Sequence, residues 1–79
     1  MINNEKTAVQ PKNEKQALEF IQKQYARGYK WDDRLEADEN TTNYCFHGTE
    51  TCYYVSNGII QYSDVETCFK HKYHIIPYR

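Results

Sequence analysis

The stretch Tyr53-Tyr54-Val55-Ser56-Asn57-Gly58-Ile59-Ile60-Gln61-Tyr62 decides the fold of this chain, because Asn57-Gly58 stands between two apolar, tyrosine-rich runs. Both central residues of a type I′ turn need positive φ, which Asn and Gly adopt with least strain, and the twist of that turn matches the twist of paired strands. A two-residue hairpin therefore sets a register: Ser56 opposite Ile59, Val55 opposite Ile60, Tyr54 opposite Gln61 and Tyr53 opposite Tyr62. Side chains alternate between the faces of a strand. Tyr53, Val55, Ile60 and Tyr62 thus share the face expected to meet the core, and Cys52, Tyr54, Ile59, Gln61 and Ser63 share the other.

That face needs a cover, and the sequence upstream supplies one. Asn13 is a good N-cap, Gln16 three residues later completes a capping-box pattern, and Glu14 suits the positive end of the helix dipole. Ala17, Leu18, Ile21 and Tyr25 then recur at helical spacing, with Phe20 at the margin of the stripe and Lys15, Glu19, Gln22 and Lys23 on the opposite side. Arg27 followed by Gly28 is a helix stop. The spacing predicts an amphipathic helix over about 14–27.

The flanking segments read as further strands. Thr7 to Gln10, ended by Pro11, is an expected edge strand or ordered tail. Tyr29-Lys30-Trp31 alternates as a short strand with both aromatics on one face, and Tyr73-His74-Ile75-Ile76 is the closing strand, with Pro77 at its end. A second hairpin is expected where Tyr44-Cys45-Phe46 meets Thr51-Cys52-Tyr53. Between Asp64 and Lys72, Val65 and Phe69 at i, i+4 suit a helical turn. The fold class is therefore α+β, one helix on a mainly antiparallel sheet, with an expected core of Leu18, Ile21, Tyr25, Tyr29, Trp31, Tyr53, Val55, Ile60 and Tyr62. Residues 1–79 form a single domain in this reading, and 1–6 are expected to be flexible.

Seventy-nine residues bury only about 60–65% of the unfolded surface. A core of this size rarely supplies more than about 3–5 kcal/mol of net stability without staples, so an internal substrate cavity would compete with it. Ten basic and eleven acidic side chains give a net charge of −1, which lacks the footprint of a duplex-binding protein. No apolar run approaches the ~20 residues of a membrane span, and the N-terminus lacks the apolar segment of a signal peptide. The expected compartment is the cytoplasm, where Cys45, Cys52 and Cys68 stay reduced.

Several chemistries can be weighed on spacing. Cys68-x-x-His71-x-x-His74 with Cys45-x-His47 offers thiolate and imidazole donors, yet lacks the CxxC knuckle or HxxxH pair of a structural zinc site. These residues read as core or boundary cysteines and surface histidines, and no metal or other cofactor is assigned. No local pattern supplies the basic, partly exposed pocket that a catalytic Cys-His pair requires. The carboxylates of 32–40 lie in a hydrated stretch that does not push two pKa values apart. Gly28, Gly48 and Gly58 are isolated, so no glycine-rich phosphate loop exists. No catalytic residue is assigned, and the chain is read as a non-enzyme.

Two binding readings remain. Asp32 to Asn40 carries five carboxylates against Arg34 and has no strand periodicity, so it is an acidic surface loop. A run of charge usually does no more than stay solvated. Here Asp32, Asp33, Glu36, Asp38 and Glu39 also suit a basic groove on a partner protein, in place of the phosphates such a groove holds, with Trp31 as an anchor beside them. The alternative is a nucleotide or single-stranded nucleic-acid module whose sheet tyrosines stack on bases, Tyr54 being the ligand-stacking candidate and Lys70, His71, Lys72 and Arg79 a basic end. Net charge disfavours it. An exposed edge, at the N-terminal strand or at Tyr73 to Ile76, is open to pairing across a homodimer.

The order of these features, a short extended start, a helix closing in Gly28-Tyr29-Lys30-Trp31, then Thr51-Cys52-Tyr53-Tyr54, Ile59-Ile60-Gln61-Tyr62 and Tyr73-His74-Ile75-Ile76-Pro77-Tyr78, resembles a group of small bacteriophage and prophage proteins. Their pattern is a helix, Gly-Tyr-x-Trp and three later strands ending in an isoleucine pair. The resemblance spans residues 7 to 78. It implies an accessory protein of the host-cell cytoplasm, of a build that in some phage proteins binds and inhibits host enzymes or defence systems. The acidic segment after Trp31 and the three cysteines stand outside the shared pattern.

Overall fold

The computed structural model describes residues 6–78. Five strands and two α-helices follow in the order β1 (Thr7–Gln10), α1 (Glu14–Ala26), β2 (Lys30–Trp31), β3 (Thr51–Ser56), β4 (Ile59–Asp64), α2 (Val65–Lys70) and β5 (His74–Pro77). The strands form one sheet in the order β2-β4-β3-β1-β5.

The β3–β4 hairpin has the register that Asn57-Gly58 predicts, with Ser56 opposite Ile59, Val55 opposite Ile60, Tyr54 opposite Gln61 and Tyr53 opposite Tyr62. Asn57 (φ 55°) and Gly58 (φ 80°) both occupy the left-handed region that a type I′ turn requires. The sheet as a whole is mixed, which corrects the mainly antiparallel expectation. β1 pairs antiparallel with β3 but parallel with β5, and β2 pairs parallel with β4. Both parallel pairings join strands far apart in sequence, which turn chemistry cannot announce. β1 is consequently an interior strand, not an edge.

α1 begins and ends where its caps dictate. The Asn13 side chain accepts the Gln16 N–H at 2.9 Å, and the Gln16 side-chain oxygen accepts the N–H of Lys12, one residue outside the usual capping box, at 2.8 Å. At the other end Gly28 (φ 94°) donates to the Tyr25 carbonyl and Tyr29 to the Gln24 carbonyl, both at 3.0 Å, a Schellman closure. The buried stripe is Ala17, Phe20, Ile21 and Gln24, turned from the expected one toward Phe20. Phe20 stacks on Tyr53 with centroids 5.8 Å apart and meets Tyr78 edge-on. Leu18 and Tyr25 are only half-buried. The turn follows from the sheet order: with β1 interior, the sheet continues under α1 on the side of Val9 and Tyr78.

Ala17, Phe20, Ile21, Trp31, Tyr53 and Ile60 form the main core, with Val55, Tyr62 and Tyr25 packed against it. Tyr29, expected inside, is exposed, because its main chain is committed to closing α1. The second sheet face is also covered. α2 lays Cys68 on Cys52 and Ala8, with Tyr54, Val65, Tyr73 and Ile75 around them. One helix on one sheet thus becomes a long helix on one face and a short one on the other. Lys72 (φ 66°) takes at the end of α2 the position Gly28 takes after α1, its N–H donating to Phe69 and that of Tyr73 to Cys68.

The hairpin expected between residues 44–46 and 51–53 does not form. Tyr44–Phe46 and Gly48–Glu50 are two 3₁₀ turns. Their geometry follows from the preceding residues: the Trp31 indole draws in the Thr41 carbonyl and the Tyr53 phenol draws in that of Thr42, so the chain is held across the sheet end and must wrap. Lys6 is tied to β5, its carbonyl accepting the His74 N–H and its Nζ lying 5.5 Å above the Tyr73 ring. The flexibility expected of residues 1–6 lies, apart from Lys6, outside the described residues.

Candidate functional site

The acidic loop is a structured surface feature rather than a slack connection. Its start is an Asx turn: the Asp32 carboxylate accepts the Arg34 N–H at 2.9 Å and the Arg34 guanidinium at 2.8 and 3.2 Å. Its end is a second one, where the Asp38 side chain accepts from Asn40 N–H and Thr41 Oγ1. Beyond that, Trp31 Nε1 donates to the Thr41 carbonyl at 3.1 Å, and Thr42 Oγ1 donates to the Glu14 carboxylate at 3.1 Å. The loop is thereby pinned to β2 and α1.

The charges divide into two groups. Asp32 is paired with Arg34, whose hydrogen bonds hold its carboxyl down to about 2. Asp33 meets Lys30 at 3.2 Å, with both side chains largely exposed. Glu36, Asp38 and Glu39 are exposed and make no salt bridge among the described residues. The negative character of the surface therefore comes from these three rather than from all five. Trp31 is 2% exposed, so its indole is a core group and cannot be the projecting anchor expected of it.

Two exposed apolar groups accompany the acidic loop, Leu35 within it and Phe46 on the first 3₁₀ turn. Leu35 is 44% and Phe46 64% exposed, well above what a core-facing residue would show. Phe46 stacks on Tyr62 with centroids 6.0 Å apart, and His47 lies against the same ring. Between the loop and β4 runs an open groove of about 530 Å³, walled by Asp32, Arg34 and Leu35 on one side and Ile59, Ile60, Gln61 and Tyr62 on the other, with Trp31 beneath. Sequence reasoning missed Leu35, Phe46 and the groove, since an isolated apolar residue in a polar loop carries no periodicity.

A smaller polar groove of about 220 Å³ opens on the other sheet face beside α2. Lys6, Ser56, Ser63, Thr67 and His71 line it together with Tyr54 and Tyr73, whose rings lean on one another at 4.4 Å. No carboxylate lines it. Burial pushes both the Tyr54 and Tyr73 phenols up, so they remain neutral hydrogen-bonding groups.

The thiols are poorly placed for nucleophilic chemistry. Cys52 is pushed up to about 12 by burial and Cys68 is also raised, the opposite of an activated thiolate. Cys45 is exposed on a 3₁₀ turn. No three His, Cys, Asp or Glu side chains among the described residues converge as metal ligands, and Cys68 faces inward away from such a set. No helix among the described residues is long and apolar enough to cross a membrane. No protein-family model, curated protein or solved structure matches this chain.

Proposed function

We propose that this chain is a non-catalytic binding protein that engages a partner with a basic surface through its acidic loop, in the manner of a phage-type accessory protein that inhibits or redirects a host protein in the cytoplasm. The observation that carries this reading is the pinned loop itself: exposed Glu36, Asp38 and Glu39 follow exposed Leu35 in a loop whose last main-chain carbonyls are tied to the core by Trp31 and Tyr53, and exposed Phe46 stacks on Tyr62 of the facing groove wall. A rigid mixture of charge and apolar area loses little entropy on binding, and the apolar groups provide contact that a merely solvated loop would lack. The phage-type description rests on the sequence resemblance.

The test is capture from a bacterial lysate by the wild-type chain and by a triple variant, Glu36→Lys with Asp38→Lys and Glu39→Lys. A stoichiometric partner retained by the first, lost by the second and released by moderate salt fits the proposal. Retention that ignores the charge reversal would refute it.

A second reading has its own observation. The polar groove beside Tyr54 and Tyr73 holds Lys6, His71 and three hydroxyl groups without a carboxylate, a lining suited to the phosphate and base of a nucleotide. Thermal-shift measurement with a panel of nucleoside monophosphates tests it, because a ligand of the folded state raises Tm. An unchanged Tm at millimolar concentrations of all of them would dismiss it.

A further inference from the structure

The groove between the acidic loop and β4 touches residues of both sheet faces. Ile60 and Tyr62 point toward α1, whereas Ile59 and Gln61 alternate to the opposite face. A groove lined by successive residues of one strand can only run along that strand's edge. The edge is the one turned away from β3, because Asp32, Arg34 and Leu35, which follow β2, form the other wall.

The hairpin register says which main-chain groups stand there. In a two-residue hairpin the pair next to the turn exchanges hydrogen bonds, and bonded pairs then alternate along the ladder. Ser56 with Ile59, Tyr54 with Gln61 and Cys52 with Ser63 are the bonded pairs. The N–H and C=O of Ile60 and Tyr62 therefore point away from β3. β2 spans only Lys30–Trp31 and pairs with Ile59 and Ile60, after which Asp32 turns the chain away. Tyr62 is left with its main-chain N–H and C=O aimed into the groove, and neither makes a hydrogen bond to a loop or side chain among the described residues.

We infer that an extended, basic segment of a partner protein adds as a strand to this open edge of β4, beyond the end of β2. Unpaired strand edges bind extended peptides through main-chain hydrogen bonds, and the flanking side chains select the sequence. Two features of the groove select this occupant. On its far wall Arg34 is neutralised by Asp32, and Glu36, Asp38 and Glu39, which follow in the same loop outside the lining, leave that side net negative, which favours cationic side chains on the incoming strand. Leu35, Ile59 and Tyr62 line the same channel and favour apolar residues between those cations. The inference rests on the acidic-surface reading for its charge preference, and on strand geometry alone for its mode.

The experiment follows amide exchange in the ¹⁵N-labelled full chain with a capped peptide alternating lysine and valine, its glutamate counterpart, and the lysine peptide with proline replacing its central valine. The expected result is slowed exchange at the Tyr62 amide with the lysine peptide, little change at Gln61 and Ser63, no effect of the glutamate peptide, and binding about tenfold weaker for the proline peptide. Binding that shifts only the Glu36, Asp38 and Glu39 side chains, with Tyr62 exchange unchanged, overturns strand addition and leaves the acidic surface standing. Equal protection of Tyr62 by lysine and glutamate peptides keeps strand addition and removes the charge preference. No binding by any peptide, or self-association of the chain that protects Tyr62 without peptide, overturns the inference.

Discussion

The phenol of Tyr53, fully buried under α1, donates its hydrogen bond to the main-chain carbonyl of Thr42, so the end of the acidic loop is fastened to the centre of the sheet. A buried carbonyl that loses its donor costs the desolvation of that group. Tyr53→Phe should lower stability by about 1–2 kcal/mol in urea denaturation and speed amide exchange in residues 38–43. Neighbouring Tyr44 has the opposite situation, since its buried hydroxyl has no partner. Tyr44→Phe should therefore be neutral or stabilising by up to about 1 kcal/mol, and a loss equal to that of Tyr53→Phe would contradict this assignment.

Lys72 takes a left-handed conformation that costs a side-chain-bearing residue about 1–2 kcal/mol relative to glycine, while its partner position Gly28 is already glycine. Lys72→Gly should gain about 1 kcal/mol and Gly28→Ala should lose a similar amount. A Cβ at Gly28 meets nothing within 4 Å, so that loss reads backbone strain without steric clash. Paired thermal melts of the two variants check both signs.

The Asp32 carboxyl, held to about 2 by the Arg34 side chain, titrates below its ordinary 3.8. Because the folded-state value is the lower one, the contribution to stability is present above about 3.8 and fades as pH falls through about 2. Carbon-detected NMR titration should place its midpoint near 2 in the wild type and return it toward 3.8 in Arg34→Ala. Asp64 is also lowered, by the Thr67 hydroxyl and then by the Thr67 N–H it caps at the start of α2, and should respond to Thr67→Val but not to Arg34→Ala.

Alkylation should distinguish the three cysteines. Cys45 is exposed, while Cys52 and Cys68 are buried against each other with thiols raised by that burial. Iodoacetamide at neutral pH should label Cys45 rapidly, and the other two only with global unfolding. Mass spectrometry after limited labelling reads the sites directly, and early modification of Cys68 would show that α2 opens independently.

Local chemistry made a good part of this structure legible in advance. Asn57-Gly58 determined a turn and, through it, a complete strand register; Asn13 and Gly28 determined both ends of α1. Each is a short-range effect in which one residue type meets one backbone demand. Tertiary structure decided the rest. The parallel pairing of β1 with β5 joins segments at opposite ends of the chain, and it alone makes β1 interior and turns α1 toward Phe20. By sequence Trp31 suits the core and an interface equally, and only its burial against Tyr53 and Tyr62 separates the two. The acidic residues of 32–40 were visible as charge, but the neutralisation of Asp32 by Arg34, the exposure of Leu35 and the unpaired edge at Tyr62 depend on where β2 ends relative to β4. That relation is long-range, and it turns an acidic loop into one wall of a groove.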